Sequence, residues 1–116
     1  MDCQYRAVLN VRQFADALES AIGMTNETSK GVTLSFSKDG LTISARAIES
    51  GEVSMSCPVD WTGEPLTLAF NPRLLIDACI ACPTDKMTME IAGRTKPVVL
   101  NRNTEWQYLL MPVDLE

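Results

Sequence analysis

The sequence predicts an α+β fold, with two amphipathic helices packed on one face of a largely antiparallel sheet of eight strands. Three observations carry this. Eight short segments alternate apolar and polar residues with the period of a strand. Two longer segments instead repeat their apolar residues at helical spacing, each behind an asparagine. The two helix entries are also near copies. "LNVRQFADAL" and "FNPRLLIDAC" share Asn10/Asn71, Arg12/Arg73, Asp16/Asp77 and Ala17/Ala78, each pair separated by the same 61 positions. The reading is a duplicated βαβββ unit.

The elements follow in order. Tyr5–Leu9 is the first strand. Asn10 is placed as an N-cap, with Gln13 positioned for a capping box, and Val11, Phe14, Leu18 and Ile22 mark one helix face. Val32, Leu34 and Phe36 alternate before Lys38-Asp39-Gly40, and Leu41, Ile43 and Ala45 after it, which reads as a hairpin. Val53, Met55 and Cys57 form the next strand. The Gly63-Glu64-Pro65 break precedes Leu66, Leu68 and Phe70. Asn71 then caps a second helix that opens on Pro72, where the missing N–H costs nothing, buries Leu75, Ala78, Cys79 and Cys82, and stops at Pro83. Three strands close the chain, around Met87–Ile91, Val98–Leu100 and Trp106–Leu110. Residues 1–116 are expected to form one domain, with internal halves at about 1–62 and 63–116.

Composition narrows the function classes. The chain has 116 residues, 46% hydrophobic and 22% charged, with no apolar run near the roughly 18 residues of a membrane span. Nothing resembles a signal peptide, so a cytoplasmic location is the expectation. A net charge of −5 argues against tight, free-standing binding to nucleic acid. The absence of histidine removes Ser-His and Cys-His nucleophilic pairs and the commonest metal ligand. Cys79 and Cys82 have the C-x-x-C spacing of a redox or metal pair, but at a helix end, with no second pair and no histidine, they read with Cys3 and Cys57 as free thiols in core positions. Asp16, Glu19 and Asp77 read as a solvated face, and Trp61 and Trp106 as half-buried strand residues. No catalytic residue, metal site or cofactor is expected.

The phrases "LTLAFNPRLLIDAC" and "GVTLSFSKDGLTISA", Lys96-Pro97 before a strand, and the terminal "YLLMPVDL" together resemble the C-terminal, third domain of the bacterial DNA polymerase III beta sliding clamp. The resemblance spans the whole chain and implies the DNA-clamp (processivity) fold. It implies a non-catalytic module of a ring around duplex DNA, built with other clamp domains or with copies of itself. Roughly six single-domain copies would close such a ring. Its implied partners are polymerases or repair proteins, docking a short linear motif of glutamine followed by apolar residues. Carried over by position, the peptide pocket is Asn71, Leu74, Pro97, Leu109, Leu110, Met111, Pro112 and Val113, and Arg12 and Arg73 face DNA. Asp114 stands where the family usually has arginine. An alternative is a stand-alone binding module or regulator on this fold that does not encircle DNA.

Overall fold

The computed structural model describes residues 5–23, 31–47, 51–93, 96–101 and 105–113. Each helix begins where an asparagine side chain satisfies a backbone N–H that has no partner within the helix. The first strand, β1 (Tyr5–Asn10), runs directly into α1 (Val11–Gly23). There Asn10 Oδ1 accepts from Gln13 N at 3.0 Å. Asn71 plays the same part for α2 (Pro72–Ala81), accepting from Arg73 N at 2.9 Å. Cys82 caps the other end, donating its N–H to Ala78 O at 2.9 Å, and Pro83 prevents continuation.

Between the helices lie β2 (Val32–Ser37), β3 (Gly40–Ala47), β4 (Gly51–Cys57), β5 (Asp60–Thr62) and β6 (Leu66–Phe70). After α2 come β7 (Lys86–Ile91), β8 (Val98–Leu100) and β9 (Tyr108–Leu110). All eight expected strands form, although the last is shorter than expected and leaves Trp106 in the bend before it, and β5 is an addition. The β2–β3 hairpin turns one residue earlier than Asp39-Gly40 suggests. Ser37 pairs with Gly40, so Lys38 and Asp39 form the loop, and Gly40 takes φ 134° at its exit.

The strands do not form one sheet of eight. They divide into a five-stranded sheet, β5-β1-β7-β8-β9, and a four-stranded sheet, β4-β3-β2-β6. The first strand of each βαβββ unit crosses to the meander of the other: β1 pairs antiparallel with β7, and β6 with β2. Two smaller twisted sheets bury their inner faces against each other's side chains and both helices. A single twisted eight-stranded sheet could not be covered by two helices.

The result is one core. Phe14, Leu18, Leu34, Phe36, Ile43, Leu75, Met89 and Ile91 are all at most 1% exposed and belong to a single buried cluster drawn from both sheets and both helices. α1 packs on α2, β3, β4 and β1. Trp61 on β5 explains why that short strand forms. Its ring stacks on Tyr5 at 5.7 Å and on Phe36 at 4.6 Å, and Nε1 donates to Glu64 O at 3.1 Å. One aromatic side chain thus ties an edge of the first sheet to the second.

Cys57, Cys79 and Cys82 are free thiols, the first two buried, as core packing requires; Cys3 lies outside the described residues. Burial, with smaller contributions from nearby Cys82, Glu19 and Cys57, pushes the Cys79 thiol up to about 12 from 9.0. Burial also raises Cys57. A thiol raised in the folded state favours folding fully below its unfolded value, and that contribution is lost as pH climbs through the folded value. The urea midpoint is therefore expected to fall from pH 9 upward, and Cys79→Ala to flatten part of that slope. At pH 8 a thiol reagent should modify Cys57 and Cys79 only after unfolding.

Candidate functional site: an apolar surface where the two sheets meet

The site is built by the way the chain leaves its last strand. In β9, Leu109 points outward at 66% exposure while Leu110 turns into the core at 3%. β9 pairs with β8 through Val98↔Leu110, so the register carried one step further sets Pro97 opposite Met111. Proline cannot donate to a ladder, and with Pro97 on one strand and Pro112 on the other the pairing has no reason to continue. The chain instead crosses to the second sheet. Val113 N donates to Ala69 O at 2.8 Å, forming an isolated antiparallel bridge with β6.

That bridge lies two residues before Asn71, so it brings the C-terminal segment to the start of α2. Leu75 faces the core at 1% exposure, whereas Leu74 faces out at 41%. Met111 is 53% and Val113 37% exposed. Asn71 and Pro97 are exposed as well, and Pro112 is half-buried. Of the eight residues expected at a peptide pocket, seven are at least partly open to solvent at this junction. Leu110 lies beneath them in the core, as strand alternation demands. Asp114 lies outside the described residues.

The two arginines are not brought together. Both are exposed in the first turn of their helices. However, Val11 N donates to Asp85 O at 2.9 Å, so the beginning of α1 lies beside the chain leaving α2. Arg12 borders an open cleft of about 630 Å³ between the N-terminal half of α1 and the C-terminal half of α2. Arg73 begins α2, away from that cleft and next to Leu74.

Two positioning residues escaped the sequence reading. Asn101, 5% exposed, takes a left-handed backbone with φ 52°. Its N donates to Thr88 O at 2.9 Å, its Oδ1 accepts from Thr88 N at 3.0 Å, and its Nδ2 donates to Cys82 Sγ at 3.5 Å. It joins the end of β8 to β7 and to the end of α2. A polar residue ending an apolar strand was the available signal, since asparagine tolerates this backbone best after glycine. The other is Gly31, with φ 140°, packed against the Phe70 carbonyl and Val113.

Among the described residues, no group of three or more Cys, Asp or Glu is placed to hold a metal ion. No described helix is long and apolar enough to cross a membrane.

Residues 2–114 match the family described as the DNA polymerase III beta subunit, C-terminal domain. The chain is 30% identical over 107 residues to the beta sliding clamp of Chlamydia muridarum, spanning 92% of itself and 29% of that protein. It is 32% identical over 112 residues to the beta sliding clamp of Streptococcus pneumoniae, again spanning 29% of that protein. The solved Caulobacter crescentus pol III beta superposes on 99% of the chain and 32% of its own length, with a TM-score of 0.89 and 26% identity. The chain thus spans a little under a third of the relatives it matches. From its helix entries, its paired sheets and these matches, it belongs to the family formed by the C-terminal domain of the DNA polymerase III beta subunit, whose fold is that of the sliding clamps.

Proposed function

We propose that this chain is a non-catalytic processivity-clamp module that docks short linear motifs of polymerases or repair proteins on its C-terminal apolar surface. The observation that carries this reading is the distribution of exposed apolar side chains. Among the described residues, the large exposed ones are Leu74, Ile80, Leu109, Met111 and Val113, and all but Ile80 lie at the sheet junction. Soluble chains rarely gather such residues without a partner. The arrangement suits an extended peptide with apolar anchors: a strand end, a helix start and two prolines give a rigid surface, and the flexible Met111 adapts to more than one anchor. The remaining wall of the pocket comes from another clamp domain or from a second copy.

A labelled peptide of glutamine followed by apolar residues is expected to bind saturably. Met111→Ala and Leu109→Ser should each weaken it by about tenfold, roughly 1.4 kcal/mol. Leu110→Ala, by contrast, should lower stability. Equal binding by wild type and both surface variants would remove the proposal.

A second reading, a clamp-fold module that does not encircle DNA, draws on the charge of the helices. α1 carries Arg12 against Asp16 and Glu19, and α2 carries Arg73 against Asp77, so neither offers a cationic face to phosphates. Light scattering in the presence of duplex DNA separates the two. A closed assembly favours encirclement, and a monomer that ignores DNA favours the second.

A further inference from the structure

We propose that Cys79 and Cys82 are a peroxide-oxidised thiol pair, in which Cys82 reacts first and Cys79 closes a disulfide onto it. The inference rests on neither the docking surface nor the encirclement of DNA. The sequence puts both thiols in the core, but the structure separates their environments. Cys79 is 5% exposed, whereas Cys82 is half-buried at the end of α2. The Cys82 sulfur is also held from two sides. Asn101 Nδ2 donates to it at 3.5 Å, and Thr84 O and Oγ1 lie 3.7 and 3.5 Å away. The Thr84 hydroxyl gives its own hydrogen to Lys86 O at 2.7 Å, so towards Cys82 it accepts. Thr84 therefore offers acceptors to the S–H of the thiol and equally to the S–OH of its oxidised form.

Helix geometry sets the distance between the two. Cys82 N donates to Ala78 O at 2.9 Å, so Cys82 still lies on the helical path from Cys79. Three residues along a helix set α-carbons about 5 Å apart, inside the about 4.4–6.8 Å that disulfides span. The β-carbons, about 5–6 Å apart, must close to about 4 Å. Little resists this. Cys82 already leaves the helix with ψ 123°, and Pro83 cannot extend it, so the final bond to Ala78 O is the one that gives. In the first step the Cys82 thiolate attacks one oxygen of a hydroperoxide and the O–O bond breaks. The other oxygen leaves as water or an alcohol with the proton that Cys82 released, and Cys82 S–OH remains. The Cys79 sulfur then attacks the Cys82 sulfur, the S–O bond breaks, and water leaves with the Cys79 proton. Two thiols lose two electrons and one peroxide gains them. Burial holds Cys79 protonated, which makes the second step the slow one.

The test treats the intact, folded chain with a small excess of hydrogen peroxide, blocks the remaining thiols, and reads tryptic peptides by mass. Cleavage after Arg73 and Lys86 yields a peptide of residues 74–86 that carries both sulfurs and neither Cys3 nor Cys57. It should become lighter by two hydrogens and return to its first mass with a reductant. In Cys79→Ser the Cys82 S–OH should accumulate and be captured by dimedone. In Cys82→Ser, oxidation of Cys79 should be at least about tenfold slower than in wild type, because the remaining thiol is buried. Circular dichroism confirms that each variant is folded. Oxidation of Cys79 at the wild-type rate in Cys82→Ser would overturn the proposal. So would peroxide-treated wild type in which Cys82 goes on to higher acids without closing the bond, or in which 74–86 is joined instead to Cys3, Cys57 or a second chain.

Discussion

Gly31→Ala is expected to destabilise the fold by about 3 kcal/mol and to lower the thermal midpoint by roughly 12 °C for a domain of this size. Two costs add. Gly31 has φ 140°, a backbone region that residues with a side chain rarely enter. A β-carbon placed there would stand 2.6 Å from the Phe70 carbonyl oxygen, and that oxygen belongs to backbone that cannot swing aside. Phe70 closes β6 and pairs with Val32, the next residue to Gly31, so relief would have to break the β2–β6 register. The same displacement would reach Val113, whose side chain lies 3.6 Å from the added carbon, and through it the apolar surface. Gly93 is the natural control. Nothing lies within 4 Å of a β-carbon there, so Gly93→Ala should stay within about 0.5 kcal/mol of wild type. Urea melts of the two variants side by side make the comparison, with an unchanged slope expected in both.

Asn101→Ala should cost a similar amount, about 3 kcal/mol, for a different reason. The substitution removes the acceptor of the Thr88 N–H and the donor to Cys82 Sγ at a site only 5% exposed. It also leaves alanine in the left-handed backbone that asparagine accepts more readily, a penalty of about 1 kcal/mol. Asn101→Gly isolates the two contributions. Glycine relieves the backbone but makes none of the side-chain bonds, so its loss should fall between wild type and alanine. If glycine restored full stability, the bonds to Thr88 and Cys82 would be shown to contribute nothing. The variants should also differ in what they expose, because Asn101 ties the end of α2 to β7 and β8. Thiol labelling of Cys79 is expected to accelerate in Asn101→Ala.

These two residues mark the boundary of what the sequence makes readable. Asn10 and Asn71 announce helix starts because capping is local: an acceptor two or three residues from its donor needs no knowledge of the rest of the chain. Alternation in Val32–Phe36 and Leu41–Ala45 likewise reports which face is buried wherever the strand ends up. Strand pairing is another matter. β1 finds β7 some eighty residues later, with Tyr5 opposite Ile91, and nothing in either segment names the other. The expectation of a single sheet therefore failed where contacts are long-range, although the duplicated unit and both helices were legible. Trp61 shows the same limit, since a three-residue strand is justified only by the rings of Tyr5 and Phe36 that it meets in the folded state.

The surface itself was legible only in part. Alternation indicates that Leu109 and Leu110 face opposite ways, but it does not say which of them faces water. Resemblance to the clamp family is what pointed to Leu109–Val113 as a docking surface. The structure adds the physical reason, an Ala69–Val113 bridge that carries the chain from one sheet to the other and sets Met111 and Pro112 at the crossing. The cleft was hidden because Asp16 and Glu19 look like any solvated helix face until α2 lies beside them.

Methyl chemical-shift mapping during titration with the glutamine-apolar peptide tests the docking surface most directly. Perturbations concentrated on the methyls of Leu74, Leu109, Met111 and Val113, with Ile76 and Ile80 unmoved, are the predicted result. Perturbations confined to Ile76 and Ile80, or none at saturating peptide, would contradict it.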